Sequence, residues 1–296
     1  MEKIFARNHA VLIATAGRAE VLAGTLASLG RQNPPPGLVV VVYAASGDVA
    51  GCQPAGESRT VFMQGRRGQT RQYNDGLRAL PEEIRLVTFL DDDIELAPDY
   101  LFQVREMFNR RPEVVAADGR LLRDGKVSRS EAISILASKE EFVPVVDFRP
   151  GGGMYGANMT VRRTVADAEP CDERILVYGF MFDVDFARRC ARHGLVGTVD
   201  ASRAVHLATQ SGRTSDRRRG FVQIMNSAYV MKKKLITPRE FFVDYLLTFL
   251  RNNFLGMIFV SGQRRIRLKR LIGNILAISY LLRGRVEPEL VEKVKG

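Results

Sequence analysis

LVTFLDDDIELAPDYL, residues 86–101, runs from five apolar-rich residues through three consecutive carboxylates to the start of a helix. LVTFL is unbroken rather than alternating, as in a strand covered on both faces. Pro98 suits the first turn of a helix that a second proline, Pro112, closes. Between these elements Asp91, Asp92 and Asp93 repel one another, and none has a basic neighbour in sequence. Two readings answer this. The acids form a solvated turn in which one Asp caps the coming helix, or they hold a cation. In extended chain, residues two apart point the same way. Asp91 and Asp93 can therefore share one ion, and two hard oxygen donors suit Mg2+ or Mn2+ shared with a phosphate. A cation also removes the repulsion and keeps the carboxylates ionised.

Upstream, the apolar run 10–14 ends at TAGR (15–18), and Val21, Leu22, Leu26 and Leu29 recur at helical spacing up to NPPPG (33–37). LVVVVY (38–43) and VFMQ (61–64) are predicted strands, and GQTRQYNDGLRAL (68–80) a loop leading into a helix. Strand and helix alternate, which predicts a parallel sheet with helices on both faces. Ligands of such sheets bind beyond the carboxyl ends of the strands. TAGR, YAASGD (43–48) and DDDIE (91–95) all fall there. Downstream, VVAADGRLL (114–122) is a predicted strand, and residues 126–150 show no clear period. GGGMYGANMTVRR (151–163) is glycine-rich and then strand-like. DVDFARRCARHG (183–194) is a predicted helix with Asp183 and Asp185 in its first turn, and VGTVDASRAVHL (196–207) a last strand.

The chain has 296 residues, 46% of them hydrophobic, enough for a substantial core. Cys52, Cys171 and Cys190 form no CxxC pair, so neither a disulfide framework nor a zinc site is expected, and a reducing compartment is. The first residues carry no signal-peptide pattern. Net charge is +11, but residues 203–296 carry +13 and the remainder −2. That asymmetry suits an anionic surface or ligand met by the C-terminal third, or else the solvated faces of helices. No apolar run between 241 and 282 reaches the ~20 residues of a spanning helix. With KKK (232–234) and RRIRLKR (264–270) beside them, these runs read as interfacial amphipathic helices or as a helical subdomain packed on the sheet. The absence of Trp and of interleaved aromatic and basic residues argues against single-stranded nucleic acid. Two domains are predicted, 1–213 and a basic, amphipathic helical region 214–296.

Asp183 follows the aromatic stretch VYGFMF, which could desolvate it and make it a better base. Asp185 reads as an ordinary helix-start acid. His206, after an apolar run, reads either as structural or as a metal ligand. His193 reads as a helix-end dipole partner and His9 as a surface residue.

Taken in order, these stretches resemble family-2 glycosyltransferases of the GT-A fold. The motifs are TAGR, GQTRQYNDG (68–76), FLDDDIELAPDYL (89–101), GANMTVRR (156–163), CDERILVYG (171–179), FDVDFARRCARHG (182–194) and AVHLATQSGR (204–213). The resemblance spans about residues 8–213. It implies a Rossmann-like mixed, mainly parallel sheet flanked by helices, with a basic helical extension at the C-terminus. It also implies roles. Asp91 and Asp93 would bind Mn2+ or Mg2+, with His206 completing the metal shell. Thr15, Arg18 and Arg71, with Asp91 and Asp92, would line the donor pocket for a nucleotide-diphosphate sugar. Asp183 would be the catalytic base, and Asn158 and Phe182 would lie at the acceptor. With one base and no obvious enzyme nucleophile, transfer would invert the anomeric centre. The acceptor would be a saccharide or lipid-linked molecule, and the location the cytoplasmic face of the plasma membrane. Two departures stand out. Tyr43 and Ala44 replace the acid that reads the nucleobase, with Asp48 nearby as a substitute, and Phe182 replaces a Glu. The alternatives are a nucleotidyltransferase, whose GxGxR-like loop TAGR does not match, and a non-catalytic membrane-surface module.

Overall fold

The computed structural model describes residues 3–125, 127–138, 146–149, 153–176, 179–209 and 214–295. Within the quoted motifs, Gly151, Gly152, Val177, Tyr178, Gln210, Ser211, Gly212 and Arg213 lie outside the described residues. Four predicted strands form where the apolar runs stand: β1 (His9–Thr15), β2 (Leu38–Tyr43), β3 (Arg59–Gln64) and β4 (Leu86–Leu90). Helices α1 (Ala19–Gly30) and α2 (Gln69–Arg78) lie between them in the chain. There follow β5 (Ile94–Leu96), α3 (Tyr100–Arg110), β6 (Val114–Asp124), α4 (Arg129–Ala137), β7 (Val146–Arg149), β8 (Asn158–Arg162), α5 (Arg163–Ala168), α6 (Phe182–Cys190) and β9 (Leu195–His206). The C-terminal part is helical: α7 (Asp216–Lys232), a π-helical stretch Glu240–Leu247, α8 (Thr248–Phe259) and α9 (Arg264–Leu281).

The sheet runs β3-β2-β1-β4-β8-β6-β9-β5, with β7 paired to β9. The first four strands in that order are parallel, as is β6 with β9. β8 inserts antiparallel between β4 and β6, and β5 and β7 pair antiparallel with β9. The continuous apolar character of the first strands follows from burial on both sides. Val11, Ile13, Val39 and Val41 share a core with Leu22, Leu26 and Leu29 of α1 and Leu101, Val104 and Phe108 of α3. Their opposite-facing neighbours Leu12 and Val42 lie against Gly76 of α2. On that face Phe89 meets Tyr73 edge-on at 4.9 Å and Phe186 at 5.5 Å. Each such side chain contributes about 1.5–3 kcal/mol on burial, so the sheet is held from both sides.

His9 departs from expectation. It is fully buried, its Nε2 lies 2.8 Å from Thr88 Oγ1, and burial, with the nearby Arg105 charge, holds its pKa well below the usual imidazole value. As the first residue of β1 it follows its strand into the sheet.

Contacts divide the chain into two compact units, Met1–Cys171 with Phe186–Gly212, and Asp172–Asp185 with Arg213–Gly296. In the second, α7 and α9 cross at two glycines. A Cβ on Gly220 would lie 2.0 Å from the Arg270 carbonyl oxygen, and one on Gly273 2.1 Å from that of Arg217. Asn274 Nδ2 donates to Gly220 O at 2.7 Å across the same crossing. Asp185 is not merely a helix-start acid: it is 1% exposed and ion-paired with Lys233, which also holds Asp172 at 2.8 Å.

Candidate active site

Beyond Leu90 the backbone leaves the ladder of β4, and the three acids part company. Asp92 turns inward and is fully buried. It accepts from Thr15 Oγ1 at 2.7 Å and pairs with Arg18, whose Nε lies 3.2 Å away, while Thr25 Oγ1 bonds its carbonyl at 2.8 Å. The short strand β5 then separates the acids from α3, so none of the three caps that helix; the cap position belongs to Asp99.

Asp91 and Asp93 converge with His206. One ligand atom from each lies within 4.8 Å of the other two. His206 Nε2 is 3.1 Å from Asp93 Oδ1 and 3.8 Å from Asp91 Oδ2. The sheet produces this meeting: β5 pairs with β9 so that Ile94 stands opposite His206, and Leu207 N donates to Asp93 O at 2.9 Å. Asp91 Oδ1 accepts from Gln69 Nε2 at 2.9 Å, and Asp93 Oδ2 from Thr209 N at 2.8 Å and Arg18 Nη1 at 3.3 Å.

The charges are strongly coupled. Burial, then repulsion from Asp93, pushes Asp91 up to about 7. Burial raises Asp92 to about 6 against the pull of Arg18. Burial acts upward on Asp93 too, but the His206 hydrogen bond and charge and the Arg18 charge outweigh it, and its pKa falls. Burial opposes the charged form of His206, yet the bond to Asp93 and the two carboxylate charges win and raise it to about 9. In the chain alone the His206 imidazolium, beside Asp91 and Asp93, and the Arg18 guanidinium, beside Asp92 and Asp93, supply the positive charge that the three acids need. Two carboxylates and one imidazole, each offering one ligand atom within 4.8 Å of the others, also fit Mn2+ or Mg2+ as a donor set.

The residues expected at the donor and acceptor differ in burial. Thr15 is 2% exposed and, with Asp92, is spent on holding Arg18; neither presents surface to a ligand. Asn158 is fully buried and donates to Gly119 O at 2.9 Å, so it ties β8 to β6. Phe182 is likewise buried. Asp48, the candidate base reader, is occupied by the N–H groups of Gly17, Ala44 and Ala45 at 2.7, 3.0 and 2.8 Å. It pins two loops at the strand ends. Arg18 and Arg71 remain partly exposed, the latter in the first turn of α2. Asp183 is partly exposed in the first turn of α6, and its Oδ1 accepts from Val184 N at 2.9 Å. Met181 just before it takes a left-handed φ of 72°.

A family model described as glycosyl transferase family 2 matches residues 10–168. The chain belongs to glycosyl transferase family 2. It is therefore a glycosyltransferase, which decides against both the nucleotidyltransferase and the non-catalytic module. Its fold is that of GT-A enzymes. The mannosyltransferase PcManGT from Pyrobaculum calidifontis, solved in complex with GDP-Man and Mn2+, aligns with TM-score 0.52 and 17% identity over 97% of this chain and 78% of that one. TarS from S. aureus aligns with TM-score 0.54 and 12% identity over 97% of this chain. This chain spans 55% of that TarS chain. TarS 1–349 in complex with UDP gives 0.52 and 13%, covering 94% and 92%. At these identities the likeness is one of fold. No curated protein matches the sequence.

For this family-2 glycosyltransferase the sequence reading missed the groups that aim the three donors. Gln69 lay inside the quoted GQTRQYNDG motif but had no role assigned. Thr209 N carries no side-chain signal. Asp124 has no motif around it, and only the register of β6 on β9 brings it to His206.

Proposed function

We propose that the enzyme transfers a sugar from a nucleotide-diphosphate-sugar donor to a saccharide or lipid-linked acceptor with inversion, using a divalent cation held by Asp91, Asp93 and His206. The convergence of those three side chains within 4.8 Å is the observation that carries the reading. When bound, the cation would neutralise charge developing on the departing diphosphate. Arg18 and Arg71 add positive charge at the strand ends where a diphosphate belongs. Asp183 accepts the proton of the acceptor hydroxyl while that oxygen bonds to the anomeric carbon and the bond from this carbon to the phosphate oxygen breaks. One displacement from the far side inverts the centre, and no enzyme nucleophile is needed. The motif order supports Asp183 in this role, and its partial exposure is compatible with it.

A thermal-shift screen of nucleotide sugars with and without Mn2+ tests the donor and the metal together. A donor at about 100 times its Kd stabilises by about 2.7 kcal/mol, a shift of several degrees. At least one nucleotide sugar should raise the melting temperature only with Mn2+ present. No Mn2+-dependent shift across UDP-, GDP-, CDP- and dTDP-sugars would reject the reading.

The second unit supports a location at the inner face of the plasma membrane. Among the described residues no helix is long and apolar enough to cross a bilayer. Phe242, Leu247, Phe254, Ile258, Phe259 and Leu282 are nevertheless exposed, Phe259 to 77% and Leu282 to 83%. Arg251 of α8 and Arg264, Arg265 and Lys269 of α9 are exposed as well. Apolar side chains beside Lys and Arg complement an anionic bilayer surface. The protein should pellet with vesicles containing phosphatidylglycerol and not with pure phosphatidylcholine. Ile258→Asp with Phe259→Asp should weaken that binding ~10-fold or more per side chain, from the ~1.5–3 kcal/mol of each apolar group. Failure to pellet with either vesicle, or a concentration-dependent dimer that the double variant abolishes, would reject the membrane as the occupant.

A further inference from the structure

Asp124 is the last residue of β6 and is unrelated to the acidic motif in sequence. In the parallel pairing of β6 with β9 it stands opposite His206. Its Oδ1 lies 2.8 Å from His206 Nδ1, the ring nitrogen facing away from Asp91 and Asp93. Its Oδ2 accepts from Tyr155 Oη at 2.8 Å, and the Tyr155 ring stands edge-on to the imidazole with centroids 6.2 Å apart. Gly125 N, the next donor along the chain, bonds His206 O at 2.7 Å. The end of β9 is thus clamped on one side by Asp93 and on the other by Asp124, with the imidazole between two carboxylates.

Half of the Asp124 side chain is in water. A solvated carboxylate has no need of a histidine and a tyrosine, and its conformational freedom opposes fixing it. Both of its oxygens are nevertheless engaged, and both partners also touch the donor cluster. An acceptor on Nδ1 keeps the proton on that nitrogen, so the Nε2 lone pair is presented to the other side, and the ring plane is set at the same time.

We propose that Asp124, itself held by Tyr155, is a positioning residue that fixes the tautomer and orientation of His206 so that Nε2 points at the site shared with Asp91 and Asp93. The proposal rests on the reading of those three residues as cation ligands. It assigns to Asp124 no contact with the cation or with substrate.

Titration of the purified full chain with Mn2+, read from the electron paramagnetic resonance of the free ion, tests it without any turnover. The titration is run with Mn2+ alone and again with UDP and with GDP present. Asp124→Ala should weaken Mn2+ binding ~10–100-fold, the usual effect of removing such a partner. Asp124→Asn keeps an acceptor oxygen for Nδ1–H and should fall between parent and Ala. Tyr155→Phe loses one hydrogen bond to Asp124 and should cost ~5-fold. Because Asp124 ends its strand and is half exposed, melting temperatures of the Asn and Phe variants should stay close to the parent. Mn2+ binding by Asp124→Ala within twofold of the parent would overturn the positioning role alone. Equal losses in the Ala and Asn variants would also overturn it, because the tautomer would then not be what matters. A parent that binds no Mn2+ under any of the three conditions would instead overturn the cation reading on which the proposal rests.

Discussion

Asp183→Asn should turn over ~10²–10⁴-fold more slowly than the parent, the range that general-base help supplies, while donor and Mn2+ binding stay within a factor of about two. The substitution isolates the proton step. Asn keeps an oxygen at the position that accepts from Val184 N, so the start of α6 retains its local hydrogen bond. What it loses is the ability to take the acceptor proton as the new glycosidic bond forms. Turnover measured under saturating donor and acceptor, beside Mn2+-dependent thermal shifts, separates the two effects. Near-parental turnover would remove Asp183 from the role. Parallel loss of binding and turnover would make it a structural residue of the helix start.

Asp93→Asn should produce the second large effect. Asp93 is 2% exposed and collects His206, Arg18 and the Thr209 N–H. Neutralising it removes one of the two negative charges among the three donors and one of the two carboxylates that hold the imidazole. Lewis-acid stabilisation of a leaving phosphate is worth several kcal/mol, so turnover should fall ~10²–10³-fold. Chelation of the parent should do the same, and chelation of the variant should add little. The sign of the pH dependence follows from the same groups. His206, raised to about 9, carries a proton at neutral pH that a cation must displace. Asp91, raised to about 7, carries one below neutrality. Mn2+ affinity of the parent should therefore rise with pH, about tenfold per unit between 7 and 9 and more steeply below 7. Titrations at pH 6, 7 and 8 check this. A flat profile would mean that neither group gives up a proton to the ion, and the trio would not be its ligands.

The parallel half of the sheet was readable because its signals are local. Unbroken apolar runs such as LVVVVY and LVTFL announce strands buried on both faces, and Val11 and Leu12 show why, each packing on a different side. The acids at the end of β4 stood out because like charges in a row demand an explanation. β5 escaped notice since three residues, Ile94–Leu96, cannot show a period; it exists because β9 offers it a partner. α4 and β7 fell in a stretch without clear period. His9 looked like surface because polarity was the only local clue, while its burial depends on where β1 sits between β2 and β4.

Amino-acid order alone therefore determined the strand and helix alternation, the placing of acids at a strand's carboxyl end, and the concentration of basic charge in the last third. These follow from periodicity and composition, which act over a few residues. Only the tertiary structure decided which acid does what. It sent Asp92 inward to Thr15 and Arg18, left Asp91 and Asp93 to meet a histidine 113 residues away from the latter, and brought Asp124 to that histidine's far nitrogen across 82 residues. The reason is register: pairing β9 with β5 on one side and β6 on the other fixes His206 opposite Ile94 and Asp124, and no local pattern encodes that alignment.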